Sequence, residues 1–171
     1  MLTFVSNMEK PVFDPEELKQ QAASEQKQNK LLIKKLKKLG STELDARIHA
    51  LHKQYEEEID CLDCGNCCKS ISPAMKDRDI ERIAKYLKVK PSKIVADHME
   101  IDNEGDYVFR SQPCPFIGED NYCSVYPARP RACREYPHTD RNRQHQILNT
   151  SQKNIAVCPI VYAIFKELRK M

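Results

Sequence analysis

The 171-residue chain has no tryptophan, only four glycines, and no cysteine before position 61. So little glycine leaves no material for a Gly-rich phosphate loop. Neither an HExxH motif nor a Ser-His-Asp set is present, so ordinary hydrolase and kinase chemistry has no carrier. The longest apolar run covers residues 160–165, far short of the ~20 residues that span a bilayer. The opening residues, MLTFVSNMEK, lack a basic stretch followed by a long apolar one, so no secretory signal is read. The start at Met1 argues against a removed leader. Charge of one sign is also lacking. There are 28 Lys and Arg against 25 Asp and Glu, a net +3, which is too little to imply nucleic acid or an anionic membrane. These absences predict a cytoplasmic protein with no membrane association.

What the chain does have is eight cysteines, at positions 61, 64, 67, 68, 114, 123, 133 and 158. In a reducing compartment such a cluster reads as metal-binding or redox-active rather than as a disulfide framework. Their distribution divides the chain into a cysteine-free appendage, residues 1–59, and a cysteine-rich body, residues 60–171.

The appendage reads as a helical hairpin. Asp14-Pro15-Glu16-Glu17 is a start signal, with Asp14 as N-cap, Pro15 at the first helical position and Glu17 at the reciprocal capping position. The first helix is predicted over 15–39, ending where Gly40 can adopt a left-handed stop. The second is predicted over 42–59, with Leu44, Ile48, Leu51, Tyr55 and Ile59 forming one apolar stripe. Lys30, Lys34, Lys35, Lys37 and Lys38 suit the end of the first helix. No aromatics interleave them, so they read as a solvated face rather than a nucleic-acid surface. The apolar stripe is expected to pack on the cysteine body or on a second copy of the chain.

In the body, helices are predicted over 77–87 and 91–99. The turn cluster 102–106 and the strand-like Tyr107-Val108-Phe109 suggest a small β-hairpin. Five prolines between 111 and 137 argue against long regular elements there. A closing helix is predicted over 159–170. The predicted class is therefore mostly α, with an irregular metal-bound body, a small β-hairpin and a C-terminal helix.

The sharpest local signal is Cys61-Leu62-Asp63-Cys64-Gly65-Asn66-Cys67-Cys68, two overlapping C-x-x-C spacings that share Cys64. A C-x-x-C turn brings two sulfurs to one side, and Gly65 permits the tight backbone that follows. Neighbouring side chains diverge, so Cys67 and Cys68 do not readily share an ion, and one of them is expected to serve a second site. Cys114, Cys123, Cys133 and Cys158 supply four further ligands and are expected to converge on the proximal run. Eight cysteines suffice for two four-sulfur sites or one polynuclear site, and the spacing leaves the grouping open.

These residues carry a resemblance. Cys61 to Cys68, Pro113-Cys114-Pro115-Phe116, the stretch from Cys123 to Pro130, and Cys133-Arg134-Glu135-Tyr136-Pro137 resemble the CxxCxxCC cysteine-cluster family. The resemblance implies a zinc- or iron-chelating domain of largely undefined biochemical role. A similar cluster in flagellin lysine methylases keeps an enzymatic reading open, although no catalytic residue is assigned. His138 stands where the family often has an apolar residue.

The metal is open between zinc and iron, including an iron–sulfur cluster. Four thiolates suit either. C-x-x-C-x-x-C and the Cys-Pro pairs resemble ferredoxin spacing, whereas the cysteine doublet and the long gaps break it. Cys61-x-x-Cys64-Gly65 resembles a zinc knuckle. Eight thiolates and two Zn²⁺ would take the formal charge from +3 to −1, because the thiolate charge is only half offset. Arg129, Arg131 and Arg134 are candidate partners for that buried negative charge. Tyr122, Tyr126 and Tyr136 read as shields of the site. His49, His52, His98 and His145 carry no ligand context. The first functional reading is a metal-binding cysteine-cluster protein. The alternatives are an iron–sulfur redox protein or component of a methyltransferase-type enzyme, and an interaction or RNA-binding module acting through the basic hairpin. The implied partners are a metal ion and a protein or second copy at the hairpin, with nucleic acid disfavoured.

Overall fold

The computed structural model describes residues 14–171. The stretch in which no secretory signal was read lies outside the described residues. The first helix starts as its cap predicts: the Asp14 carboxylate accepts hydrogen bonds from the backbone N–H groups of Glu16 (2.8 Å) and Glu17 (3.3 Å). The element is not continuous, however. It divides at Glu25 into α1 (Pro15–Ser24) and α2 (Gln26–Leu36). The reason is tertiary, since Glu25 turns to meet Arg169 at 2.7 Å and the Tyr162 hydroxyl at 3.3 Å. Gly40 does not adopt the expected left-handed stop. It is extended, with φ −62°, and serves as N-cap of α3 (Ser41–Glu58).

Two short helices hold the proximal cysteines, α4 (Cys61–Cys64) and α5 (Asn66–Ser70). They are followed by α6 (Asp77–Leu87) and α7 (Pro91–His98), both as predicted. The β-hairpin forms between β1 (Met99–Ile101) and β2 (Tyr107–Phe109), antiparallel with Glu100 opposite Val108. From 111 to 137 the only helical pieces among the described residues are a 3₁₀ turn at Tyr126–Ala128 and α8 (Arg131–Glu135). After these come α9 (Leu148–Asn154), which periodicity did not reveal, and α10 (Pro159–Leu168). The protein is mostly α. Among the described residues no helix is long and apolar enough to cross a membrane.

Two apolar cores result among the described residues. The first joins Leu18, Leu36, Leu44 and Ile48 from the N-terminal helices to Leu148, Ile164, Phe165 and Leu168. The predicted hairpin therefore wraps the C-terminal helices. Its stripe packs along α10, with Leu44 and Ile48 buried and Leu51, Tyr55 and Ile59 partly so. The second core joins Ile80, Ile83 and Ile94 to Met99, Phe109, Phe116 and Val125. Cys158 belongs to the first core, whereas Cys114 and Cys123 pack against the second. The cysteine run 61–68 lies between them.

Candidate metal centre

Local sequence builds the proximal turn. Asp60 caps α4 by accepting from the Leu62 N–H at 2.9 Å. The helix ends after one turn at Gly65, whose N–H donates to the Cys61 carbonyl at 2.8 Å. Gly65 has φ +56°, the left-handed region, and a Cβ there would meet Asn121 Oδ1 at 2.7 Å. Glycine is thus favoured twice, by backbone conformation and by space. The reversal lets α5 restart at once and carry Cys67 and Cys68 from the same corner into the cavity walls.

Hydrogen bonds tie the distal segments to this corner. The Cys114 N–H donates to the Cys68 carbonyl at 2.9 Å. The Asn66 amide donates to the Val157 carbonyl at 2.9 Å, beside Cys158. The Asn121 amide donates to the Asp63 carbonyl at 3.3 Å. The loop between Cys114 and Cys123 folds back through an Ile117–Cys123 bridge. Gly118 N–H to the Tyr122 carbonyl (2.8 Å) and Ser124 N–H to the Phe116 carbonyl (2.8 Å) brace it. Cys133 is held by a clamp that sequence reading did not anticipate. Asp79 on α6 accepts from the Arg131 N–H at 3.0 Å, while Arg82 donates to Asp79 (2.5 Å) and to the Arg129 carbonyl (2.7 Å). The usable signal was the i,i+3 acid–base pair beside the apolar face of α6.

All eight cysteines are free thiols; Cys158 is buried, Cys61 exposed and the others half-buried. They line two adjoining cavities. One, of about 30 Å³, has Cys61, Cys64, Cys67 and Cys158 in its wall, together with Tyr136. The other, of about 150 Å³, has Cys68, Cys114, Cys123 and Cys133, with Arg129, and is also reached by Cys61, Cys67 and Tyr136. Electrostatic neighbours divide in nearly the same way. Cys133 interacts with Cys68, Cys114 and Cys123, and Cys158 with Cys61 and Cys64. The two groups touch at the doublet. There the Cys67 thiol donates toward Cys68, which raises Cys67 and lowers Cys68, the Arg129 charge also favouring the Cys68 thiolate. Burial pushes Cys114 up to about 11, and Cys133 and Cys158 each up to about 12. Among the described residues no three Cys, His, Asp or Glu side chains already stand in coordination geometry. The sulfurs are gathered around the cavities but are not closed on a point.

The buried polar groups beside the thiols fit a bound metal. The Tyr136 hydroxyl and the Arg129 Nε are buried without hydrogen-bond partners. Tyr136 lies among Cys158, Cys67, Cys64 and Cys61, and Arg129 near Cys68 and Cys123. Each group of thiols therefore has a hydrogen-bond donor beside it of the kind that stabilises metal-bound thiolates. Arg129 also stacks on Tyr126, its guanidinium carbon 3.6 Å from the ring centroid. The other two candidate arginines are placed differently: Arg131 pairs with Glu135 at 2.5 Å, and Arg134 is exposed. Tyr122 and Tyr126 are exposed as well, so of the three tyrosines only Tyr136 is enclosed by the site. His49 faces the Arg141 carbonyl (2.8 Å), His52 the Thr139 hydroxyl (2.9 Å) and His145 the Leu39 carbonyl (3.0 Å), which are structural contacts. His98 packs edge-on against Phe116.

No curated protein and no solved structure was found to match the chain. The family CxxCxxCC, described as a "Putative zinc- or iron-chelating domain", matches residues 60–159, which include every cysteine and exclude the N-terminal helices. A match over more than half of the sequence, spanning both cavities and all eight thiols, makes this chain a member of the CxxCxxCC family.

Proposed function

We propose that the chain is a metal-binding cysteine-cluster protein that holds zinc or iron in two four-thiol sets, Cys61/Cys64/Cys67/Cys158 and Cys68/Cys114/Cys123/Cys133. The observation that carries this reading is the pair of adjoining cavities, divided at the Cys67-Cys68 doublet, whose walls together contain all eight cysteines. Cys67 lines both cavities and Cys68 the larger one, so the doublet is an economical way to feed two sites from one short helix. Binding would replace thiol protons with metal, so affinity rises with pH. Tyr136 would donate to the first set and Arg129 to the second, offsetting the negative charge of four thiolates around a divalent ion. Eight reduced thiols fit a cytoplasmic, reducing setting. Four thiolates leave no open position on a tetrahedral ion, which favours a structural or sequestering role over catalysis at the metal.

The test is elemental analysis of anaerobically purified full-length protein and of two variants. Cys158→Ser should lose the metal of the first set and keep that of the second, and Cys133→Ser should do the reverse. A wild-type protein without bound metal, or a single substitution that abolishes all metal in a folded chain, would overturn the reading.

A further inference from the structure

The two sets are unequal in room, and this bears on what each can hold. The cavity with Cys61, Cys64, Cys67 and Cys158 in its wall is about 30 Å³, room for about two waters. A single tetrahedral ion draws four sulfurs to about 2.3 Å and needs no more space than that. The cavity with Cys68, Cys114, Cys123 and Cys133 in its wall, also reached by Cys61 and Cys67, is about 150 Å³, five times the smaller one. Resting on the two-set reading above, we infer that this larger set holds a sulfide-bridged iron cluster, while the smaller set holds a single metal ion.

The composition of the larger cavity supports an inorganic occupant. Four thiolates saturate one tetrahedral ion, so a bigger unit on the same four ligands must bring bridging atoms of its own, and inorganic sulfide is the bridge that iron uses with thiolate ligands. Ile71, Phe109, Phe116 and Val125 supply apolar wall, which shields a cluster from water. Among the described residues Arg129 is the one charged lining residue apart from the thiols, and its Nε is buried and unpaired. A guanidinium hydrogen bond toward cluster sulfur is a recognised way for a protein to stabilise and tune such a centre. An organic ligand of the same volume would be expected to meet several convergent donors and acceptors. Here six cysteine sulfurs converge, against four other polar side chains, Asn121, Tyr126, Arg129 and Tyr136.

The experiment uses the full chain, reconstituted anaerobically with ferrous iron and sulfide and, separately, with zinc alone. The readouts are iron, zinc and acid-labile sulfide per chain, together with visible charge-transfer absorption. Iron-reconstituted wild type should carry at least about two sulfides per chain and absorb in the visible. Cys158→Ser should keep both signals. Cys133→Ser should lose both while retaining about one metal ion per chain. Because the wild-type sulfide content is decisive by itself, a variant that fails to fold does not blunt the test. Metal bound at two sites with no sulfide would overturn the cluster inference and leave the two-set reading standing. No bound metal under either condition would overturn both. Loss of sulfide in a folded Cys158→Ser with retention in Cys133→Ser would also contradict the inference, because it would assign the cluster to the smaller set.

Discussion

Tyr136 carries a hydroxyl into a nest of four thiols and finds no hydrogen-bond partner there. A buried hydroxyl without a partner costs a metal-free fold its desolvation, so Tyr136→Phe should leave the metal-free chain at least as stable as wild type, by up to about 1–3 kcal/mol. The same change should weaken metal retention about tenfold or more, since a hydrogen bond to a charged sulfur is worth about 1.5–3 kcal/mol. Chelator competition on both proteins reads the difference, and unchanged retention would remove Tyr136 from the site. Gly65 makes the opposite kind of prediction. Its left-handed backbone costs an alanine about 1–2 kcal/mol, and the added methyl must also displace Asn121, which binds the Asp63 carbonyl. Gly65→Ala should lower the urea midpoint and metal content together. Both positions stand within quoted family motifs. The sequence identified Gly65 as a turn and Tyr136 as a shield, but the hydroxyl's lack of a partner is a three-dimensional fact.

Among the elements, α6 does more than fill the second core. Burial opposes ionisation of Asp79, but hydrogen bonds from Arg82 and from the backbone N–H groups of Arg131 and Lys76 prevail and hold its carboxyl below the usual value of 3.8. A carboxyl depressed in the folded state contributes stability that is present above its unfolded pKa and lost as pH falls through the folded one. Asp79→Asn should therefore cost about 1–3 kcal/mol at neutral pH, and the gap from wild type should close as pH falls below 3.8. Denaturation followed across that acid window checks it, and a gap independent of pH would contradict the account. Elements governed by their own residues were legible: the Asp14 cap starts α1, the 44/48/51/55/59 stripe marks α3, and α6, α7, the β-hairpin and α10 fall where periodicity and turn residues put them. The break at Glu25 was not legible, because its partners, Tyr162 and Arg169, lie more than 130 positions away. Gly40 was misassigned because a glycine between helices serves equally as a stop or as the extended N-cap that it is. The α9 helix was missed because its buried face is Leu148, Ser151 and Asn154, mostly polar.

For the whole molecule, the cysteines form the seam between two cores. Cys158 is anchored in the core of α1–α3 and α10, Cys114 and Cys123 rest on the core of α6, α7 and the β-hairpin, and the doublet lies where the cavities meet. Metal would then act as a staple, closing long loops much as a cross-link does. Its removal should raise amide exchange at least about tenfold, equivalent to about 1.4 kcal/mol, across residues 61–70 and 111–137. Exchange in α3 and α10 should change far less, because Leu44, Ile48, Ile164 and Phe165 hold that core without any ligand. Equal loosening of both regions would argue against the staple. That the distal cysteines return to the proximal run was an expectation of the sequence; which joins which was not readable, since the proposed grouping sets 158 with 61, 64 and 67 out of chain order. The most direct measurement is metal-edge anomalous diffraction from crystals of the loaded protein. The account predicts two separate metal centres, one ligated at about 2.3 Å by Cys61, Cys64, Cys67 and Cys158 and the other by Cys68, Cys114, Cys123 and Cys133. A single centre drawing ligands from both sets, or two centres with the cysteines grouped differently, would contradict it.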